Sequence, residues 1–459
     1  MTLLKLNAII LLNFAKNCAM NNKTHKWLLI ITIVLFVVLF VQSVFHPISL
    51  KSLKGFYNPV EKPTLTYHNL ADGSYQRNFE EYQQYHFGFR EWSIRLYNQY
   101  LWSCYHKTNN GWIEIGKDNW LYESEFVQDH YESLMYKLFD GDATKAEKQF
   151  EETAENLHKL QEILAKRNTH IFVNMIPGKD MIYPEFLPEN TKYFNPDGVH
   201  AYDSYKKKFN ELGVNYIDFV DVFKNDKNKV DYPLFAKTGT HWTNIAATHA
   251  FDSIMKYMEN LSGLNMLNVA IGPKHRGKVR EPDDDLEQLF NLMFHIKPNS
   301  FYYAETSIIP DETAIRPKLI TIGDSFFWTI SYNYNLGALF SECPYWYYNS
   351  TVYYDKDFNS TSEVNMIDEL FNSDFIMLNY CTVQLYKLGN GFIDNALALL
   401  YDDETDSPMS DEIIEIERRI YADTEWFHSV KEKAAQNSIP IAKQVALDAK
   451  YVFNLQDQK

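Results

Sequence analysis

The chain has 459 residues, and 60 acidic against 44 basic side chains give it a formal net charge of −16. Binding to nucleic acid or to an anionic membrane surface draws on clustered lysine and arginine, so this charge balance argues against either function. The length exceeds one average domain and can bury a large core. The cysteines show no metal-ligand spacing and leave open one internal disulfide or buried free thiols; they are Cys18, Cys104, Cys343 and Cys381.

The first element is an apolar run from Trp27 to Phe45 that contains no charged side chain. As a helix it would span roughly 28 Å, close to the hydrocarbon thickness of a bilayer. Four lysines precede it and favour a cytoplasmic N-terminus, and no small-residue cleavage site follows it. The sequence therefore predicts an uncleaved, single-pass signal anchor, with the bulk of the chain in the periplasm or at the cell exterior.

Four regions are expected along the chain. The anchor and a cytoplasmic tail occupy residues 1–50, and a linker with an N-terminal subdomain occupies 51–140. In that subdomain, residues 74–105 read as helical and residues 111–122 as two short strands around a turn. The main domain is expected over 141–400 and C-terminal helices, used for packing or partner contact, over 401–459.

The third region alternates between helical and strand patterns. Apolar residues at helical spacing predict a helix over 144–167, and a buried strand follows over 171–176. A helix over 202–212 and a strand over 214–220 repeat the pattern, and 374–380 reads as another buried strand. This alternation predicts an α/β fold with a parallel sheet flanked by crossover helices. Lys179, in the loop after the first strand, is expected to be a solvated loop lysine; the alternative is a cation that faces the site and binds an acyl oxyanion or an anionic sugar.

The segment KLITIGDSFF, residues 318–327, joins a buried strand to a glycine turn and a serine. Gly323 allows a sharp turn at the carboxyl end of the strand, where open α/β sheets place their sites. Ser325 is then either a nucleophile or only the N-cap of the helix that follows.

A second segment, KTGTHWTN at residues 237–244, places His241 just before a helical run over 245–258. A histidine at this position is a general base or, alternatively, a cap or satisfied core group. The acidic run PDDDLEQL at 282–289 lacks the alternating ligands and central glycine of a helix–loop–helix Ca²⁺ site, and is expected to be a solvated helix start.

Together, GDSF at 323–326 and THW at 240–242 resemble the SGNH-hydrolase-like domain of the alginate O-acetyltransferase family. FGFREW at 87–92, IEIGKDNWLY at 113–122 and IFVNMIPGKDMIYPEFLPE at 171–189 resemble further segments of that family in the same order. The likeness covers roughly residues 80 to 385.

The resemblance implies that Ser325 takes an acetyl group and that His241 acts as base and then acid. Oxyanion or supporting roles would fall to neighbouring residues and to the end of a later strand: Gly323, Asp324, Thr240, Trp242 and Asn379. The family's histidine motif is usually Asp-x-His-Trp, but this chain has Gly239 at the aspartate position. Three possibilities follow: a Ser–His dyad, a domain that binds glycan without turning it over, or an acid from elsewhere, namely Asp218, Asp221, Asp231 or Asp285.

The resemblance further implies a membrane-anchored O-acetyltransferase that acts on a polysaccharide outside the cytoplasm. It implies no metal and no cofactor, because a multi-spanning membrane O-acyltransferase would deliver the acetyl group as partner. Two rivals stay open: a carbohydrate esterase of the same fold and, because of Gly239, a non-catalytic glycan-binding or assembly subunit. The many aromatic residues over 332–354 either fill a tyrosine-rich core or stack on sugar rings.

Overall fold

The computed structural model describes residues 22–55, 60–133, 138–189, 198–296, 301–355, 357–402 and 404–457. Within these ranges the chain divides into two units. The first comprises the described residues up to Asn109 together with Gln288–His295, and the second comprises Asn110–Glu287 with the chain from Ile296 onward. Cys18 and most of the predicted cytoplasmic tail lie outside the described residues.

The helices are α1 (Asn22–Phe45), α2 (Tyr67–Ala71), α3 (Ser74–Tyr85), α4 (Arg90–Tyr105), α5 (Ser124–Glu132), α6 (Ala143–Ala165), α7 (Lys179–Ile182), α8 (Ala201–Leu212), α9 (Phe219–Asp226), α10 (Asn244–Ser262), α11 (Asp285–Phe290), α12 (Phe327–Asn333), α13 (Leu336–Leu339), α14 (Met366–Asn372), α15 (Phe392–Leu400), α16 (Asp411–Ala422), α17 (Thr424–Asn437) and α18 (Ile441–Asp457). The strands are β1 (Ile113–Ile115), β2 (Leu121–Glu123), β3 (His170–Ile176), β4 (Tyr216–Asp218), β5 (Asn268–Ile271), β6 (His275–Gly277), β7 (Phe301–Tyr303), β8 (Thr306–Ile309), β9 (Leu319–Gly323), β10 (Tyr345–Tyr347), β11 (Thr351–Tyr353), β12 (Phe375–Cys381), β13 (Tyr401–Asp402) and β14 (Ser407–Pro408).

The first unit is built from α1 to α4. The part of α1 over His25–Phe45 is long and apolar enough to cross a membrane, and no other helix among the described residues meets that test. Near its end, the Ser43 hydroxyl accepts a hydrogen bond from the Gly88 N–H at 2.6 Å. A side chain at Gly88 would meet the Leu39 carbonyl oxygen at 2.4 Å, so only glycine allows this approach.

A six-stranded sheet in the order β11-β10-β9-β12-β3-β4 organises the second unit. All neighbouring pairs are parallel except β10 and β11, which form an antiparallel edge. The predicted mainly parallel α/β sheet is therefore confirmed. Its central strands β3, β9 and β12 are buried almost along their whole length, as expected for a parallel sheet covered on both faces.

Two apolar clusters cover the two faces of the sheet. On one face, Ile320, Ile322 and Leu378 pack with α6, α8, α15 and the C-terminal helices. On the other face, Leu319 and Met377 pack with α9, α10 and α12. The helices that the sequence predicted thus form the outer layers of an α/β sandwich and fix the sheet from both sides.

The structure corrects two local predictions. The strand expected over 214–220 is only Tyr216–Asp218, because the Asp218 carboxylate accepts hydrogen bonds from the N–H groups of Val220 and Asp221 and so begins α9. The sequence also predicts that Ser410 and Ser438 each start a C-terminal helix. Ser410 caps α16 as expected, but Ser438 ends α17 in the left-handed region. The three cysteines within the described residues, Cys104, Cys343 and Cys381, are free thiols.

Candidate active site

The serine turn, residues 323–326, begins at Gly323, the last residue of β9, and lies at the carboxyl ends of the parallel strands. A Cβ atom at Gly323 would lie 2.1 Å from the backbone oxygen of Asn379 on the neighbouring strand β12. Glycine is therefore required for the close approach of the two strands. Ser325 comes two residues before the first residue of α12, so it is not the N-cap of that helix, a position held by Phe326.

Asp324 fixes the shape of the serine turn. Its buried carboxylate accepts hydrogen bonds from the Phe326 N–H at 3.1 Å and from the Cys381 N–H at 2.6 Å. Its own N–H donates to the Asn379 carbonyl at 3.1 Å, and its carbonyl accepts from the Tyr345 hydroxyl at 2.5 Å. All of these groups are engaged within the chain, so Asp324 holds the turn that presents Ser325 and does not offer a donor to a substrate.

The histidine loop, residues 236–243, lies against the serine turn. The buried Trp242 ring donates its Nε1–H to the Phe326 carbonyl at 3.1 Å. Thr243 caps α10 by accepting a hydrogen bond from the Ala246 N–H. The two side chains that follow His241, those of Trp242 and Thr243, are thus anchored.

His241 bridges a carboxylate and the serine hydroxyl. Its Nδ1 lies 2.5 Å from Asp285 Oδ2, and its Nε2 lies 2.8 Å from Ser325 Oγ. An ionised carboxylate can only accept, so Nδ1 carries the proton and donates it to Asp285. Nε2 is then free to accept the proton of the Ser325 hydroxyl. Ser325, His241 and Asp285 have the connectivity of a serine–histidine–aspartate triad.

Asp285 is one of the four acids that the sequence offers for this role, and it lies 44 residues after the histidine. Its Oδ1 also accepts hydrogen bonds from the N–H groups of Thr240 and Leu286, at 2.8 and 2.7 Å. The other candidate acids are paired elsewhere: Asp218 and Asp221 with Lys206, and Asp231 with Lys274. The carboxylate that Gly239 lacks is therefore present behind the imidazole.

Steric crowding also explains why position 239 is a glycine. A Cβ atom there would lie 2.8 Å from the backbone oxygens of both Pro282 and Asp283. The absence of a side chain at Gly239 thus allows the close approach of the backbone segment that leads to Asp285. The acidic run is also not the solvated helix start that was predicted, because Asp283 is buried and its carboxylate accepts a hydrogen bond from the Asn244 N–H at 3.2 Å.

Further carboxylates raise the charge density around the imidazole. Burial opposes the imidazolium form, but Asp285 and Glu123 outweigh burial and raise the pKa of His241 above its ordinary value. Glu123, at the end of β2, lies close to Thr240, His241 and Asp285, and burial raises its own pKa to about 7. No motif singles out Glu123 in the sequence, although it follows directly after the IEIGKDNWLY segment.

Lys179 is a second residue whose place differs from the prediction. It is only 2% exposed, and its Nζ donates to the carbonyls of Ala236, at 3.0 Å, and of Gly239. Burial lowers the pKa of Lys179 to about 7. The amine therefore fixes the backbone of the histidine loop through these hydrogen bonds. It is neither a solvated loop lysine nor a free cation for a substrate.

The remaining predicted residues lie near the serine turn with different roles. Asn379 is fully buried, and its Oδ1 accepts a hydrogen bond from Asn174 Nδ2 at 2.8 Å. Its own Nδ2 has no hydrogen-bond partner among the described residues. Thr240 contributes its N–H to Asp285 instead of to the serine side. Asn379 and the backbone of Ser325 are the groups left as candidates for binding an oxyanion.

Comparison with known proteins places this site in a family context. Residues 113–325 match the model of the family described as the SGNH hydrolase-like domain of the acetyltransferase AlgX. The matched range contains His241, Asp285 and Ser325. No curated protein matches the chain.

Solved structures similar to this chain include two proteins from Pseudomonas and one from Bacillus. The O-acetyltransferase domain of Pseudomonas putida AlgJ is 15% identical, with a TM-score of 0.41, and the match covers 62% of this chain and 98% of that one. Pseudomonas aeruginosa AlgX is 15% identical, with a TM-score of 0.37, over 63% of this chain and 68% of that one. Bacillus cereus PatB1 with a sulfonyl adduct is 11% identical, with a TM-score of 0.35, over 53% and 93%.

Proposed function

We propose that the chain acetylates hydroxyl groups of a polysaccharide through an acetyl-enzyme on Ser325, and the match of residues 113–325 to the SGNH hydrolase-like domain of the acetyltransferase AlgX supports this proposal. His241 is the general base and acid, and Asp285 orients it. The observation that carries this proposal is the continuous hydrogen-bonded path from Asp285 through His241 to Ser325 Oγ.

In the first half-reaction, Ser325 Oγ attacks the carbonyl carbon of the acetyl donor while its proton passes to His241 Nε2. The imidazolium is stabilised by Asp285 at Nδ1, which is the physical meaning of the raised pKa of His241. His241 then gives the proton to the leaving group. The carbonyl carbon–leaving group bond breaks, and the acetyl group remains as an ester on Ser325.

In the second half-reaction, a sugar hydroxyl takes the place of the leaving group. His241 Nε2 removes its proton as the sugar oxygen attacks the acetyl carbon, and the proton then returns to Ser325 Oγ. The negative charge that develops on the acetyl oxygen needs donors near Ser325. We assign this role to the Ser325 N–H and to the Asn379 side chain.

We place the enzyme at the outer side of the cytoplasmic membrane. Support comes from the helix His25–Phe45, which is long and apolar enough to span a bilayer. Acetyl-CoA is cytoplasmic, so an enzyme in that position would receive its acetyl group from a multi-spanning membrane O-acyltransferase. The chain would need no metal or cofactor of its own, because the triad supplies the nucleophile and the proton transfers.

Two rival functions are separated by experiment. The non-catalytic alternative was motivated by Gly239, and the contact between Asp285 and His241 supports a catalytic site instead. A carbohydrate esterase would use the same triad with water as the acceptor.

The test uses the full-length chain in detergent with 4-nitrophenyl acetate, with and without an oligosaccharide acceptor. We expect a burst of 4-nitrophenol, an acetyl group on Ser325 and an acetylated oligosaccharide as product. Ser325→Ala and His241→Gln should abolish the burst, while Ser253→Ala, on the exposed face of α10, should keep it. Hydrolysis that is unaffected by the oligosaccharide would identify an esterase, and a burst that survives Ser325→Ala would overturn the proposal.

A further inference from the structure

An exposed group of aromatic side chains lies beside the serine turn. We call Trp328, Tyr332, Tyr353 and Tyr354 the aromatic surface. Tyr332 is 56% exposed, Tyr354 is 54% exposed and Tyr353 is 38% exposed. Large aromatic rings left in water lose the free energy that burial would give them, and such exposed patches mark binding sites in soluble proteins.

The rings of the aromatic surface are arranged around Trp328. The ring centroid of Trp328 lies 4.8 Å from that of Tyr353 and 6.0 Å from that of Tyr354, both edge-on, and 6.3 Å from that of Tyr332, nearly parallel. The Tyr354 hydroxyl also donates to Ser331 Oγ at 3.1 Å. These contacts hold the exposed rings in fixed orientations, so little conformational entropy would be lost when a ligand stacks on them.

The aromatic surface is continuous with the proposed catalytic centre. Trp328 follows Ser325 by one helical turn, and its N–H donates to the Ser325 carbonyl at 3.1 Å. From the sheet side, Tyr347 is in register with Gly323, and its ring centroid lies 6.0 Å from that of Trp328. The backbone of α12 and the ring of Tyr347 thus connect the aromatic surface with the serine turn.

Charge limits the kind of ligand. Acidic side chains lie close to the tyrosines of this region: Glu281 lies close to Tyr332, and Asp324 and Glu123 lie close to Tyr347. A cavity of about 920 Å³ opens beside Tyr354 and Ser331. Its charged lining consists of four carboxylates and two cations: Glu342, Asp355, Asp357, Glu369, Arg316 and Lys318.

Both of those cations are already engaged within the chain. Lys318 Nζ lies 2.7 Å from Glu342 and 2.9 Å from Glu369, and the Arg316 guanidinium donates to the Phe340 carbonyl at 2.5 Å. An anionic polymer such as a polyuronate would meet repulsion here. Sugar rings without charge carry apolar C–H faces and polar hydroxyl edges, which match aromatic faces with phenolic edges.

We propose that the aromatic surface binds the rings of an uncharged acceptor polysaccharide and presents one of its hydroxyl groups to the acetyl-enzyme. This inference rests on the proposed function, because it assigns the acceptor of the same site. It also narrows that function, since it assigns to this chain an acceptor that is not a polyuronate.

Direct binding tests the proposal in a protein that cannot turn over. Cellohexaose is titrated by calorimetry into full-length Ser325→Ala in detergent, and an anionic hexamannuronate is titrated in parallel as the charged alternative. We expect cellohexaose to bind and Tyr332→Ala/Tyr354→Ala, added to Ser325→Ala, to weaken its binding at least about tenfold, since each ring contact contributes of the order of a few-fold to tenfold. Tyr332→Phe/Tyr354→Phe should retain binding within a few-fold, because the stacking faces remain.

The control is Tyr451→Ala, which removes a tyrosine of similar exposure, 65%, from the distant helix α18. It should bind cellohexaose like its parent, and thermal unfolding of every variant checks that the fold is intact. Equal binding by the folded double alanine variant, or tighter binding of hexamannuronate than of cellohexaose, would overturn the inference. Because binding is measured without Ser325, a missing 4-nitrophenol burst in the wild type would instead refute the proposed function alone.

Discussion

Replacing Asp285 by asparagine should nearly abolish catalysis while preserving the shape of the site. Asp285 Oδ1 accepts hydrogen bonds from the N–H groups of Thr240 and Leu286. Only the amide oxygen of asparagine can replace it there, so the amide nitrogen must face His241 Nδ1. Since that nitrogen is a donor, Nδ1 has to lose its proton, and the proton moves to Nε2. Nε2 then points a hydrogen at Ser325 Oγ and cannot act as a base.

The expected loss follows from the geometry. The variant loses a charge-assisted hydrogen bond of 2.5 Å and holds the imidazole in the wrong tautomer. In other serine–histidine–aspartate enzymes this change lowers kcat by about 10⁴-fold, so we expect about 10³-fold to 10⁴-fold here, or about 4–5 kcal/mol of transition-state stabilisation.

The assay is the rate of the 4-nitrophenol burst from 4-nitrophenyl acetate with the full-length chain in detergent. Asp231→Asn is the matched control, because Asp231 is exposed and pairs with Lys274 away from the triad. It should react like the wild type. An Asp285→Asn enzyme that keeps more than about a tenth of the burst rate would refute the orienting role of Asp285.

Four further predictions address the surroundings of the triad and the core. The burst rate should rise with pH to a plateau with a midpoint above 6.5, because the pKa of His241 is raised and only the neutral imidazole accepts a proton; in Asp285→Asn the midpoint should move to lower pH. Gly239→Asp should not rescue Asp285→Asn and should lower the melting temperature, because its Cβ would meet two backbone oxygens at 2.8 Å. Lys179→Met should lower the free energy of unfolding by about 2–4 kcal/mol, measured by urea unfolding, since it strands buried carbonyl groups of the histidine loop. Glu417→Met should stabilise the protein increasingly as pH rises, because Glu417 is fully buried, both its carboxyl oxygens have no partner among the described residues, and burial raises its pKa to about 9.

The direction in which stability changes with pH at Glu417 follows from its raised pKa in the folded state. Below pH 4.5, the pKa of the unfolded state, the carboxyl group is protonated in both states, so its ionisation does not change the stability. Between pH 4.5 and about 9 the unfolded chain ionises first, so the wild type loses stability at up to about 1.4 kcal/mol per pH unit. Urea unfolding at pH 6 and pH 8 should show the advantage of Glu417→Met growing by up to about 3 kcal/mol. A stability advantage of Glu417→Met that is constant with pH would contradict this account.

The other predictions have their own refuting results. A burst rate that falls with pH would contradict the role of His241 as a base, and an unchanged free energy of unfolding in Lys179→Met would contradict the support of the histidine loop by Lys179.

Elements with a strong local pattern could be predicted from the sequence. The apolar run of α1, the helical spacing in α6 and the buried strands β3, β9 and β12 each depend on burial of side chains close together in the chain, which composition and periodicity reveal. Strands β10 and β11 were missed, because their aromatic residues alternate too weakly to distinguish an antiparallel edge from a loop.

For the site, the sequence determined the chemical groups, and the tertiary structure decided which of them meet. GDSF and THW predict Ser325 and His241 as candidate site residues, because both side chains lie next to the turns that present them, and the fold brings the two together. The carboxylate partner depends on where a distant segment crosses, and only the fold brings Asp285 behind the imidazole while Gly239 leaves room for its backbone. Burial likewise depends on packing between distant segments, so an acidic run and a loop lysine that look solvated in sequence become the interior supports of the histidine loop.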